Sequence, residues 1–283
     1  MSQVAARPIW LCADDYGISP AVNGAIRDLI VLRRINATSV MVAAPSFDLS
    51  EAVPLGLLNA GASRVVIGLH VTLTAPFTPL SMGFRPVRDG AFLPLDQMFK
   101  RASLRLLSRR RLALEIATQL KAFVAAFGRA PDFFDGHQHV HLYPQVRDAL
   151  LAVVKDAVPN AWVRQCGRVP LPLGRRLADR KALLLDALSG AFRRRAAALG
   201  IATNPAFAGT YDFAAQDEPN YAELFPRFLE RMPADGVIMC HPGMVDAELQ
   251  RLDPLTTLRE REYAFFRDKA FPLLLQAHGI VLA

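Results

Sequence analysis

The sequence predicts an α/β fold: a single TIM-like (β/α) barrel over residues 1–283, with about seven parallel strands and irregular closure. Three observations predict it. Short apolar runs alternate with longer helical patterns from end to end, the pattern of parallel strands joined by crossover helices. The 283 residues fit one α/β barrel, and no Pro/Gly/Ser-rich linker divides them. Polar residues capable of chemistry gather where the apolar runs end, and in parallel barrels those ends share one pole.

The strands are expected at 9–13 ("IWLCA"), 38–44, 64–73, 132–139, 161–166, 236–241 and 279–283. Helical patterns fill 20–33, 46–59, 96–127, 144–157, 174–199, 219–231 and 254–277. Ser19-Pro20 and Asp253-Pro254 carry the residue types that open helices. The Pro- and Gly-containing loop 74–95 reads as a lid over one end of the barrel.

Charge is unevenly placed. The net +7 comes from two segments, 100–111 with six basic and no acidic residues, and 173–200 with seven basic and two acidic. The rest of the chain is net negative. Leucines at helical spacing run through both, so 100–111 and 174–199 read as basic helical segments. Each is either a solvated barrel-helix face or a helix lying on an anionic membrane surface. Nucleic acid is a poor fit, because no aromatic residues interleave with the basic ones for base stacking. No apolar run approaches the roughly 20 residues that span a bilayer, and the N-terminal residues lack a secretory pattern. Cys12, Cys166 and Cys240 are isolated, apolar in context and without C-x-x-C spacing, as expected of buried reduced thiols. A cytoplasmic protein follows, with contact at the inner face of a membrane left open, as is a homodimer.

Five of the six histidines lie near strand ends; only His278, assigned to a helix C-terminus, falls outside. Asp14-Asp15 follow the first strand, His70 lies in the third, Asp135, His137, His139 and His141 close the fourth, Arg164 lies in the fifth and His241 ends 236–241. A hydrolytic metal centre takes three ligands from His, Asp or Glu and leaves a position for water, whose pKa it lowers. Paired aspartates can divide the labour, one binding the ion and the other acting as general base; taken alone, the pair reads equally well as a helix cap. No G-x-S-x-G elbow, no cysteine beside a base, and no dinucleotide or Walker loop is present, which argues against acyl-enzyme and nucleotide chemistry.

The stretches "ADDYGISPAVNGAI", "IGLHVTLT", "FDGHQHVH" with the following "YP", and "MCHPG" resemble, in order and spacing, the four signatures of the YdjC/ChbG-type carbohydrate deacetylases. "TNPAFAGTYDF" at 203–213 is most similar to the hopanoid-biosynthesis-associated, HpnK-type members. The resemblance implies a metal-dependent N-deacetylase of acetylated amino sugars. It matches Asp15, His70 and His137 to the metal ligands and Asp14 to the general base. His241 then stands where a general acid for the leaving amine is expected, and Arg164 would orient Asp14 or steady the oxyanion. Asp135 would support a ligand histidine. His139 would hydrogen-bond a ligand from behind or face the substrate, and His141 would line the cleft or cap the next helix. The ion is one divalent metal: Zn²⁺ suits the donors best, with Mg²⁺, Mn²⁺, Co²⁺ or Ni²⁺ as alternatives. The expected substrate is the N-acetylglucosaminyl head of a hopanoid lipid. The alternatives are a soluble oligosaccharide such as chitobiose, or a non-catalytic sugar- or lipid-binding barrel with a structural metal.

Overall fold

In the computed structural model, residues 6–59, 65–168, 180–211 and 220–282 are described. Seven parallel strands curl into a barrel wall: β1 (Arg7–Tyr16), β2 (Ala37–Val40), β3 (Val66–Val71), β4 (Phe133–Gly136), β5 (Trp162–Val163), β6 (Phe207–Ala208) and β7 (Val237–Cys240). Their order is β5-β4-β3-β2-β1-β7-β6, so the wall is open between β5 and β6. The gap is partly bridged, since the Val163 N–H donates to the Ala202 carbonyl at 2.9 Å and Val163 pairs with Thr203. The predicted seventh strand, 279–283, is instead β8 (Ile280–Leu282), which pairs the opening residues of β1.

The strand missing from the sequence reading is β6. Two residues of extended chain carry no readable periodicity. Asn204 makes up for the short ladder: it accepts from Gln165 N–H and donates to the carbonyls of Gln165 and Ala206, at 2.8–3.1 Å. Gly209 then runs so close to β7 that a Cβ would stand 2.0 Å from the Met239 oxygen.

Helices cover the outside. The first, α1 (Pro20–Val31), is capped by Ser19, whose hydroxyl accepts from Val22 N–H at 3.3 Å; the Asp14-Asp15 pair is therefore not its cap. It is followed by α2 (Leu49–Leu58). The predicted helix 96–127 is two, α3 (Leu95–Ser103) and α4 (Arg109–Phe127), and the basic segment 100–111 is therefore no single helix but a corner. Arg105, at φ +57°, closes α3, and Ser108 caps α4. Then come α5 (Val146–Ala157), α6 (Arg180–Ala198) and α7 (Tyr221–Leu229). Of the basic segment 174–199, the first six residues lie outside the described ones. The predicted helix 254–277 is also divided, into α9 (Thr257–Arg267) and α10 (Ala270–Ala277), preceded by α8 (Ala247–Leu252). Asp268 takes an extended conformation and accepts from Ala270 N–H at 2.7 Å, which ends one helix and starts the next. His278 lies at the end of α10, where its N–H donates to the Leu274 and Leu275 carbonyls.

The loop 74–95 is packed down: Phe77, Phe84, Phe92 and Leu93 are buried. Glu115 on α4 accepts from the N–H groups of Leu80 and Ser81 and from the Ser81 hydroxyl, at 2.5–3.0 Å. The loop expected as a lid packs onto α4 through these contacts. All three cysteines are free and buried, as expected. Among the described residues, no helix is long and apolar enough to cross a membrane.

Candidate active site

Strand register puts the predicted residues on one level. Ala13 pairs with Cys240 on β7 and with Thr38 on β2, His70 pairs with Asp135, and Phe134 pairs with Val163. One residue further along, Asp14, His241, Ser39, Asp135 and Arg164 form a ring at the C-terminal rim.

A regular strand would turn Asp14 and Asp15 to opposite faces. Here Ala13 pairs with Thr38 but Tyr16 pairs with Val40, so β1 holds one extra residue. Asp15 absorbs it at φ +69°, a conformation that aspartate tolerates better than most residues. This bulge brings both carboxylates into the barrel mouth, where both are fully buried.

The two aspartates have different neighbours. Asp14 receives a two-pronged hydrogen bond from Arg164, Nη1 to Oδ1 at 2.7 Å and Nη2 to Oδ2 at 2.6 Å. Asp15 faces the histidines: Oδ1 lies 3.3 Å from His70 Nε2 and 3.0 Å from His137 Nδ1, while Oδ2 accepts from Arg259 Nη2 at 2.7 Å. Burial opposes ionisation of both. Arg164 overrides it at Asp14, and Arg259 with His137 at Asp15, so both carboxyls sit well below the usual carboxylate range.

Asp15, His70 and His137 offer three ligand atoms within 4.8 Å of one another. Asp135 fixes the direction of one of them. Its Oδ1 lies 2.6 Å from His70 Nδ1, which turns Nε2 toward Asp15, the arrangement by which a carboxylate orients a metal-binding imidazole. The donor set fits a divalent cation. Three buried carboxylates, Asp14, Asp15 and Asp135, face two guanidinium groups, and Asp253 shares one of these. Although burial opposes it, Asp135, Asp15 and Asp14 push His70 up to about 10, so the pocket favours a positive charge at the His70 ring. Either a proton or a metal ion provides it.

The four residues of "DGHQHVH" with chemistry do not share a face. Strand β4 ends at Gly136, and Gln138 and His139 follow at positive φ in a tight 3₁₀ turn. His137 therefore enters the ligand group, with the Phe77 ring edge-on at 5.5 Å. His139 is half-buried, with Nδ1 3.5 Å from Cys166 Sγ and its ring edge-on to Phe207. His141 neither lines the cleft nor caps a helix. It is fully buried against Phe192, and its Nε2–H donates to the Arg164 carbonyl at 2.9 Å. Burial, reinforced by Arg164, lowers His141 to about 3 and holds His139 well below the usual range, so both are neutral. Arg164 also makes an ion pair with Asp135 at 2.9 Å and lies over the Phe207 ring.

His241 follows β7, half-buried, and burial keeps its ring below its usual pKa. Three residues of the site carried no signal in the sequence. Ser39 touches both sides of the site, 3.1 Å from Asp14 Oδ1 and 3.0 Å from His70 Nδ1. Arg259 and Glu262 both come from α9. Glu262 accepts from His241 N–H at 2.5 Å and from the Tyr211 hydroxyl at 2.6 Å. In the run "LREREY" nothing separates these two from solvated charges.

The sequence profile of the YdjC-like protein family matches residues 8–277. Chitooligosaccharide deacetylases of Yersinia pestis (strain Pestoides F) and Yersinia pseudotuberculosis serotype O:1b (strain IP 31758) are each 26% identical over 244 residues, covering 84% of this chain and 82% of theirs. Among solved structures, a cellobiose-phosphate cleavage protein of Enterococcus faecalis V583 superposes with a TM-score of 0.72 at 20% identity, over 99% of this chain and 97% of that one. The lactam utilization protein of Thermus thermophilus gives 0.52 at 14% identity, over 97% and 98%. These two superpositions establish the fold alone. The match over nearly the whole length, on a ring of strand-end residues that carries the four sequence signatures, shows that the chain belongs to the YdjC-like family.

Proposed function

We propose that the protein is a metal-dependent carbohydrate N-deacetylase that hydrolyses the acetamide of an N-acetylated amino sugar. The observation that carries this reading is the division of the aspartate pair. Asp15 joins the His70–His137 ligand group, while Asp14, one residue away, is held off it by both nitrogens of Arg164. A structural metal would leave the second carboxylate no part beyond pairing with Arg164, whereas a hydrolase needs a base beside the ligand group.

A divalent ion held by Asp15, His70 and His137 would acidify water and polarise the acetamide carbonyl. Asp14, ionised at any physiological pH, takes a proton from the attacking water, and Arg164 fixes the direction of its lone pairs. His241 gives a proton to the departing amine. Its ring is neutral at rest, so the proton it delivers is the one that Asp14 took from water and passes on; water is consumed, acetic acid and the amine are formed and part as acetate and ammonium, and Asp14 and His241 return to their starting states. His139, neutral and half-buried beside Phe207, contacts the sugar.

Two substrates share this chemistry. The curated relatives are chitooligosaccharide deacetylases, which favours a soluble oligosaccharide. The similarity of 203–213 to hopanoid-associated proteins favours an N-acetylglucosaminyl lipid. Within that motif Asn204, Phe207 and Gly209 serve the barrel wall, and Asp212 and Phe213 lie outside the described residues. The deciding experiment is acetate release from diacetylchitobiose and from an N-acetylglucosaminyl lipid, with Zn²⁺-loaded protein and Asp14→Asn as control. Turnover that disappears in Asp14→Asn while Zn²⁺ content is kept supports the reading. Bound Zn²⁺ without turnover of either substrate refutes it.

A further inference from the structure

The corner between α3 and α4 leaves an unusual surface exposed. Only Leu107 of the 104–108 connection points inward with a polar anchor: its N–H donates to Gln145 Oε1 at 2.9 Å and its carbonyl accepts from Gln145 Nε2 at 2.5 Å. That anchor fixes the corner with Leu104 and Leu106 turned outward, 59% and 61% exposed. Leu114, one turn into α4, is 55% exposed. Arg101, Arg105, Arg109, Arg110 and Arg111 surround these leucines, all exposed. Among the described residues none of the five pairs with a carboxylate. Asp96 lies before the stretch, and Glu115, which follows it, is buried and spent on Leu80, Ser81 and Gln119. Through Glu115 the 74–95 loop docks on the same turn of α4 and adds Met82, which is 98% exposed.

We infer that this corner is a docking surface for an anionic lipid bilayer, with Leu104, Leu106, Leu114 and Met82 entering the headgroup region and the five arginines facing lipid phosphates. Exposed leucine and methionine among unpaired cations is the chemistry of peripheral membrane contact. A second copy of the chain fits badly, since an isologous contact would set this cationic patch against its own repeat. Nucleic acid fits badly as well, because no exposed aromatic ring accompanies the arginines. The loop that supplies Met82 also carries Phe77 against His137, so surface and site share one element. The inference rests on the surface and stands whatever the site hydrolyses.

The test is sedimentation of the full chain with vesicles of phosphatidylcholine alone and of phosphatidylcholine mixed equally with phosphatidylglycerol. Binding is expected only to the anionic vesicles, and salt weakens it. An arginine near an anionic surface contributes about fivefold in partitioning. Replacing Arg105, Arg109 and Arg110 together by Gln should therefore weaken binding on the order of a hundredfold. Leu104→Ser with Leu106→Ser should also weaken it, yet keep the salt dependence. All five positions are exposed, and thermal unfolding verifies that each variant folds. Absence of binding to anionic vesicles at low salt overturns the proposal. So does equal binding to both vesicle types, binding unchanged by either variant, preferential binding of single-stranded RNA, or a dimer that the leucine substitutions dissociate.

Discussion

Replacing Glu262 by Gln should change how the stability of this protein depends on pH. The Glu262 carboxyl is buried on α9, between the Tyr211 hydroxyl and the His241 N–H. Burial pushes it up to about 7 from 4.5, against the pull of those two donors and of Arg259. Because the folded value lies above the unfolded one, the contribution is fully present below about 4.5 and is lost as pH rises through about 7. At about 1.36 kcal/mol per pKa unit the complete loss is about 3 kcal/mol, and roughly 2 kcal/mol of it falls between about pH 5.5 and pH 8. Gln cannot ionise. It keeps an acceptor for His241 N–H and presents its NH₂ to the Tyr211 oxygen, so its own contribution to stability is independent of pH. Thermal unfolding of both proteins in the presence of a chelator should show the gap moving in favour of Glu262→Gln by about 4 °C or more as pH rises, using a conversion of roughly 2–4 °C per kcal/mol. A gap that stays constant across that range would mean that Glu262 is ionised throughout, and the burial argument would fail.

Two further outcomes follow from the aspartate ring. Asp135→Asn keeps the size of the group that orients His70 but removes its charge, so Zn²⁺ affinity measured by calorimetric titration should fall about 10- to 100-fold; unchanged affinity would remove Asp135 from the ligand support. Arg164→Met leaves Asp14 and Asp135 buried beside an apolar side chain and should cost about 3–5 kcal/mol in denaturant unfolding. Arg164→Lys should recover part of that stability, yet lose the second hydrogen bond to Asp14 and with it most of the turnover number. A methionine variant as stable as wild type would refute the structural half of this account.

The sequence made most of the site legible because those residues close strands, and strand ends meet at one pole whatever lies between them. Asp14, Asp15, His70, His137 and His241 were all found that way. Local conformation was harder to see. The bulge that turns both aspartates inward depends on a one-residue mismatch between β1 and β2, visible only once the strands are paired. Alternation along "HQHVH" could not say where each imidazole goes, because two residues at positive φ after Gly136 send His139 and His141 to different neighbours. The breaks in 96–127 and 254–277 were missed because Arg105 and Asp268 sit in runs whose composition favours helix on both sides.

Arg259 and Glu262 show the limit most clearly. A buried charge is tolerable only when its partners are in place, and here the partners are remote: Arg259 meets Asp15 across 244 positions and Glu262 meets His241 across 21. Seen along the chain they are two members of a charged helix, three residues apart. Three residues apart on a helix is also one face. That face holds the carboxylate of the ligand group through Arg259 and the backbone of the proposed acid through Glu262. A single rigid element therefore sets the distance between the two halves of the site. Displacing α9 would disturb both at once, so substitutions that loosen it should impair ion binding and proton delivery together.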